Sequence, residues 1–146
     1  MTKLTLQPGT FTYDKDDADL ARTLPVAHIL LDGKDFIRQI RMWTHDKHLS
    51  PLEPDILYNM LHHEWKDHSS VFLAGCDCGQ PMCDPLYVHI EEKRYTIIWS
   101  RISTIENGAS GRTKLFRMNP IIFDKEAYFA ELAAMKRWMV ENHLTA

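Results

Sequence analysis

The chain has 146 residues, of which 45% are hydrophobic and 25% charged, and its formal net charge is −3. This length and composition are typical of one globular domain, residues 1–146, and exclude a disordered or fibrous protein. The 17 Lys and Arg residues are scattered among 20 acidic residues, so we expect no nucleic-acid partner, which would require a concentrated basic face.

The sequence also indicates a compartment. No stretch reaches the ~18 consecutive apolar residues of a membrane helix. The opening residues, MTKLTLQPGTFTYDKDD, lack the apolar core and cleavage site of a secretory signal. We therefore expect a cytoplasmic protein without membrane contact, in which an odd number of cysteines, three, favours thiols or a metal site over disulfides.

The first elements are short. The pattern predicts two strands, Lys3–Gln7 and Thr10–Tyr13, separated by a turn at Pro8-Gly9. The acidic run Asp14–Asp19 lacks the spacing of a calcium loop and is interpreted as a solvated loop.

A buried strand and a helix follow. Val26–Leu31 is an apolar run that ends at a turn-forming Asp32-Gly33 pair. Asp35 can cap the next helix, whose apolar face is predicted to contain Phe36, Ile37, Ile40 and Trp43.

A second helix is predicted near residue 50. Ser50 and Glu53 have the spacing of a capping box, although Pro54 can instead begin the helix itself. Its apolar stripe would be formed by Leu57, Leu61 and Trp65.

Strands dominate the next part of the chain. Leu86–Glu91 and Tyr95–Ile102 alternate as a strand pair joined by a polar turn, and Thr104–Thr113 is predicted to be a turn or loop. Lys114–Phe123 offers a third strand, which Asn119-Pro120 should interrupt.

The last helix has the strongest pattern. Asp124 is its expected cap, Phe123 and Tyr128 occupy the positions of a hydrophobic staple, and the buried stripe is predicted to be Tyr128, Leu132, Met135 and Met139. Together these elements predict an α+β domain, with a mostly antiparallel sheet packed by the C-terminal helix and by one or two middle helices.

The three cysteines are the main chemical signal. Cys76, Cys78 and Cys83 fall within eight residues, and thiolates favour Zn²⁺, which takes four ligands in a structural site. Candidates for the fourth ligand are His68 and His89, the nearest histidines in the sequence, followed by His62, His63 and Asp84, and nothing in the sequence selects among them. Two other interpretations stay open: three buried thiols that pack a tight loop, or a redox or nucleophilic thiol, which the neighbouring acidic residues disfavour.

The segment LAGCDCGQPMCDPL, Leu73–Leu86, together with Ile98–Ser100 and Phe123–Tyr128, resembles a group of small uncharacterised bacterial proteins with a GCxCGxxxCxPL core motif. The resemblance implies that the cysteines, Gly79 and Pro85 form one shared structural unit. The chain departs from that group after the tryptophan, where TIENGASGRT stands in place of a polar segment that contains proline and histidine, so the resemblance implies no ligand from this segment.

Two functions are consistent with these features. The first is a small cytoplasmic protein that binds another protein, such as an immunity protein or inhibitor of a bacterial toxin, with the cysteine loop as an internal clip. Its contacts would come from exposed aromatic and arginine side chains, with the candidates Trp43, Trp65, Trp138, Arg101 and Arg112.

The alternative is a zinc-dependent enzyme. Cys76, Cys78 and Cys83 would hold the ion and leave an open coordination position for a water molecule, with His89 or Glu91 as the general base. Four protein ligands would indicate a structural site, whereas three ligands and a pocket would indicate the enzyme.

Overall fold

The computed structural model of the protein describes residues 1–44, 48–68, 70–78, 85–105 and 113–144. Its strands are β1 (Leu4–Tyr13), β2 (Arg22–Leu31), β3 (Lys34–Asp35), β4 (Leu49–Ser50), β5 (Val71–Cys76), β6 (Leu86–Glu92), β7 (Thr96–Ile105), β8 (Thr113–Leu115) and β9 (Ile121–Asp124). The helices are α1 (Phe36–Thr44), α2 (Pro54–Asn59), α3 (Trp65–Asp67) and α4 (Lys125–Glu141), and a π-helical turn, Met60–Glu64, joins α2 to α3.

Two antiparallel sheets form the framework and confirm the α+β prediction. One has the strand order β1-β2-β3, and the other has the order β4-β5-β6-β7-β8 with β9 also paired to β7. The interrupted third strand is confirmed as two short strands, β8 and β9, on either side of Pro120. Buried side chains from both sheets and from the helices form one hydrophobic cluster, so the sheets share a core.

The prediction of a turn at Pro8-Gly9 was wrong, because β1 runs through both residues and pairs with β2 along its full length. The backbone N–H of Leu6 points away from β2 and donates to the Glu131 carboxylate at 2.8 Å. Pro8, two residues further along, faces the same way, so its missing N–H costs no bond to β2. At Gly9 an added Cβ would lie 2.7 Å from Nε2 of His28, so the glycine permits close approach of that ring.

Helix α1 begins as predicted. The Asp35 carboxylate accepts the Arg38 N–H at 3.0 Å, and Phe36, Ile37 and Ile40 are buried. The prediction for Trp43 was wrong, since this side chain is 58% exposed at the end of the helix.

The prediction of a capping box at Ser50 was also wrong. Ser50 lies in β4, where pairing with β5 buries it and lets its hydroxyl donate to the Gly75 carbonyl at 3.3 Å. The helix begins at Pro54 instead, as the alternative prediction has it, and Glu53 is its N-cap without a side-chain hydrogen bond.

Helix α4 confirms the predicted cap and stripe. The Asp124 carboxylate accepts a hydrogen bond from the Ala127 N–H at 2.9 Å, and the centroids of the Phe123 and Tyr128 rings are 5.4 Å apart. All four predicted stripe residues are buried. Within the described residues, none of the helices is long and apolar enough to cross a lipid bilayer.

Candidate functional site

The candidate site is the cysteine turn, Cys76–Cys78, at the end of β5. Cys76 is 7% exposed, Cys78 is half-buried, and neither forms a disulfide. The third cysteine of the hypothesis, Cys83, lies outside the described residues. The described part of the site therefore contains two thiols separated by one aspartate.

Two hydrogen bonds curl the chain around the Cys76 sulfur. The Cys78 backbone N–H donates to Cys76 Sγ at 3.5 Å, and Cys76 Sγ lies 3.6 Å from Asp77 Oδ1, to which the thiol can donate. An N–H that points at sulfur favours the thiolate, which is the form that binds metal ions. The aspartate opposes the thiolate, because a negative charge nearby disfavours a second one.

His48 lies beside the turn and was not among the predicted ligands. Strands β4 and β5 pair Leu49 with Cys76, and one residue further along the Asp77 N–H donates to the His48 carbonyl at 2.8 Å. The His48 ring also contacts the turn, with Nδ1 3.3 Å from Asp77 Oδ1. His48 and the cysteine turn are at least 28 residues apart in the sequence, and the pairing of β4 with β5 brings them together.

The structure does not bring the predicted candidates His68 and His89 to the cysteine turn. Strand β5 pairs Val71 with Val88 and therefore places both histidines near its first residue, whereas the cysteine turn begins at its last residue, Cys76. A strand of this length extends about 16 Å at 3.3 Å per residue. The His68 ring instead lies 3.6 Å from the Glu64 carboxylate.

Glu91, a candidate general base, lies further along β6 in the same direction as His89. Lys93 Nζ is 2.8 Å from its carboxylate, and this hydrogen bond and charge lower the pKa of Glu91. A lowered pKa makes a carboxylate a weaker base. Both its position and its chemistry therefore weaken the proposed role in catalysis.

In the part of the chain that the structure describes, no three His, Cys, Asp or Glu side chains form a group that could hold a metal ion. The sequence-based zinc hypothesis includes Cys83 and so extends beyond those residues.

The tip of the β1–β2 hairpin rests against the cysteine turn. The Asp14 N–H donates to the Asp77 carbonyl at 2.8 Å, which anchors the start of the acidic run Asp14–Asp19. Most of this run is exposed. The contact places Asp14 beside Asp77 at the cysteine turn.

A small depression lies between the hairpin, β4 and the cysteine turn. Its lining residues are Tyr13, Ser50, Pro51, Leu52, Glu53, Ile56, Gly75 and Cys76, and its volume of about 230 Å³ includes space open to solvent. Because that figure counts open solvent, the enclosed space is much smaller than the ~300–1,000 Å³ of typical small-molecule sites. The depression therefore gives little support to a substrate pocket at Cys76.

Tyr13 fixes the hairpin to β4 at this place. Its buried hydroxyl donates to the Pro51 carbonyl at 2.7 Å. Burial, together with the negative charge of Glu53, raises the pKa of Tyr13 to about 12 from an ordinary value of 10.0.

This shift predicts a pH-dependent contribution to stability. The folded protein retains the Tyr13 proton at pH values where the unfolded chain loses it. The contribution of this proton to the free energy of unfolding is therefore complete below pH ~10 and disappears as the pH rises towards 12. We expect the stability difference between wild type and Tyr13→Phe to be constant up to pH ~9 and then to shift in favour of the variant. Urea unfolding at each pH measures it, and a difference that does not change between pH 9 and 12 would contradict the prediction.

Large apolar side chains are exposed at the end of α1. Met42 is 68% and Trp43 is 58% exposed. Among the other proposed contact residues, Trp65 and Trp138 pack against the core, Arg101 is exposed and Arg112 lies outside the described residues.

No protein-family model, curated protein sequence or solved structure matches the chain.

Proposed function

We propose that this protein acts by binding another protein, through a surface that combines the end of α1 with the tip of the β1–β2 hairpin. The observation that carries the proposal is the exposure of Met42 and Trp43 on a helix whose other apolar residues are buried. Two adjacent large apolar side chains in water are unfavourable, and tryptophan is enriched among the residues that dominate binding energy at interfaces.

The two parts of the surface are close enough for one interface. Trp43 is five residues from His48, so their Cα atoms are at most about 19 Å apart. His48 and Asp14 both contact Asp77. A typical interface buries ~800 Å² on each partner, equivalent to a patch about 32 Å across.

The charge of the hairpin tip favours a basic partner. Asp14, Asp16, Asp17 and Asp19 surround one lysine at the hairpin tip, and Asp77 lies beside them. Toxins that cleave nucleic acids must present a basic face to the phosphates. An acidic surface could cover such a basic face and block the toxin. The specific function that we propose is therefore that of an immunity protein or inhibitor of a bacterial toxin.

The test starts with the tagged full-length protein expressed in cells of its source organism. We expect a stoichiometric partner with a basic surface, which mass spectrometry identifies. With that partner purified, Trp43→Ala should weaken binding by about tenfold or more, because truncating a hot-spot residue costs ~2 kcal/mol or more. The weakening should mainly reflect faster dissociation.

Tyr95→Ala is the matched control. Tyr95 is 69% exposed and lies at the β6–β7 turn, at the opposite end of the sheet from the cysteine turn, so its removal should leave affinity unchanged. Equal effects of the two substitutions would reject the proposed surface. Absence of any stoichiometric partner would reject the function itself.

As a second candidate, we propose that the cysteine turn binds Zn²⁺ as a structural clip. The observation that favours it is the Cys78 N–H that donates to Cys76 Sγ, an arrangement that stabilises a thiolate ligand. Cys83 would be a further ligand on the basis of sequence. Elemental mass spectrometry on untagged protein should find about one zinc per chain, and Cys78→Ser should lose it. A wild-type protein without metal would reject both this site and the zinc-dependent enzyme.

A further inference from the structure

We infer that a basic cluster on the π-helical turn, α3 and α4 binds a phosphate group, either free or carried by a small molecule. The cluster consists of four basic side chains: His62, His63, Lys66 and Lys136. It contains no residue of the proposed protein-binding surface or of the cysteine turn, so the inference depends on neither proposal.

A π-helical turn positions the two histidines of the basic cluster. The turn spans Met60–Glu64, and its Leu61 carbonyl accepts hydrogen bonds from the Trp65 indole N–H at 2.9 Å and from the Tyr128 hydroxyl at 3.4 Å. The second of these bonds fixes the turn against α4, which carries Lys136. Such turns are rare in proteins and are frequently found at functional sites.

Tyr58 holds two members of the basic cluster together. Its ring is stacked on the His62 ring, with centroids 5.0 Å apart and an interplanar angle of 13°. The Lys136 ammonium lies 5.3 Å from the centroid of the same tyrosine ring, within the range of a cation–π contact. The His63 ring is 5.6 Å from that of His62. Groups from two helical segments therefore meet beside one tyrosine.

The positive charges of the basic cluster exceed the negative charge beside them. Burial lowers the pKa of His62, and the three other members of the cluster lower it further through their positive charges. The Glu64 carboxylate lies 3.4 Å from the His63 ring. In the described part of the chain, neither Lys66 nor Lys136 forms an ion pair. The repulsion within the cluster would be relieved by a bound anion.

A phosphate group matches the size and the donors of the basic cluster. As an ester it carries almost two negative charges at pH 7 and has three strong acceptor oxygens. Lysine ammonium and imidazole N–H groups are the donors that such oxygens require. A protein partner would need a surface of ~800 Å², whereas the cluster is four side chains beside one ring.

The experiment is an NMR titration of the full-length protein with inorganic phosphate, with sodium chloride at equal ionic strength as the reference. We expect phosphate to shift the ring resonances of His62 and His63. It should also raise the pKa of His62 towards the ordinary histidine value, because a negative charge nearby favours the protonated imidazole. Lys66→Ala and Lys136→Ala should each weaken phosphate binding by about threefold, the size expected for an exposed ion pair.

Lys15→Ala is the matched control, because it removes the same charge from an exposed lysine. Lys15 lies at the tip of the β1–β2 hairpin, which contacts Asp77 just after the end of β5. Lys66 instead precedes the start of β5. We therefore expect Lys15→Ala to bind phosphate as wild type does. Circular dichroism checks that all three variants are folded.

The outcomes separate a phosphate site from general attraction of anions. An equal loss of binding in Lys15→Ala, or equal shifts with chloride, would reduce the effect to charge screening and overturn the inference. A peptide of aspartates that binds where phosphate does not would assign the basic cluster to an acidic protein and also overturn it. Glycerol phosphate distinguishes the two sources of the group, since tighter binding than that of inorganic phosphate indicates a phosphorylated small molecule.

Discussion

Leu132→Ala should lower the free energy of unfolding by about 2–5 kcal/mol, the range for truncating a fully buried leucine. Leu132 has no exposed surface, and α4 contacts β1 in one sheet, β7 and β9 in the other, and α2. Because the helix joins both sheets, the cavity should weaken the whole fold and not only the C-terminus. We expect a single unfolding transition at lower urea concentration.

Val140→Ala is the matched control on the same helix. Val140 is 55% exposed, so its truncation should change stability by less than about 0.5 kcal/mol. Urea unfolding monitored by tryptophan fluorescence and circular dichroism measures both variants. Equal effects at the two positions, or a transition in Leu132→Ala confined to the helix, would show that α4 does not hold the sheets together.

Tyr128→Phe should lower stability by about 1–3 kcal/mol, because it removes one hydroxyl and leaves a buried donor without a partner. The Tyr128 hydroxyl accepts the Trp99 indole N–H at 3.3 Å and donates to the Leu61 carbonyl at 3.4 Å. Leu61 lies in the π-helical turn, and its carbonyl also accepts the Trp65 indole N–H at 2.9 Å. Burial raises the pKa of Tyr128 well above its ordinary value, so the hydroxyl stays protonated and able to donate.

The control for this prediction is Tyr95→Phe, which removes a hydroxyl from an exposed tyrosine and should have little effect on stability. A double-mutant cycle adds a second check. In a Trp99→Phe background there is no indole N–H to leave unpaired, so the effect of Tyr128→Phe should become smaller. Additive effects of the two substitutions would contradict the hydrogen-bond explanation.

Local patterns in the sequence predicted the elements whose determinants lie within a few residues. The cap of α4 needs only Asp124 and Ala127, and the staple needs only Phe123 and Tyr128. The alternation of Leu86, Val88 and Ile90 was sufficient for β6, because these side chains share one face of a half-buried sheet. These features depend on periods and spacings that can be read directly.

Predictions failed where a distant partner decides the outcome. Pro8 and Gly9 are typical of a turn, but pairing with β2 along the full length of β1 keeps both in a continuous edge strand. Ser50 resembles a helix cap, but Gly75 accepts its hydroxyl in a sheet. Neither partner can be identified from the neighbouring sequence.

The candidate site shows the same division. The sequence alone singled out Cys76, Cys78 and Cys83 as candidate metal ligands, because thiolates close together in a chain are typical zinc ligands. It proposed candidates for a fourth ligand by proximity in sequence, His68 and His89, which the structure puts at the other end of β5.

By itself, the sequence determined the α+β class, the helix that covers the core and the grouping of three cysteines within eight residues, since each depends on local periodicity or composition. Only the tertiary structure decided that His48 and the acidic hairpin meet at Asp77, and that Trp43 lies in solvent. The physical reason is that strand pairing joins residues far apart in the chain, and burial depends on which surfaces those pairings leave uncovered.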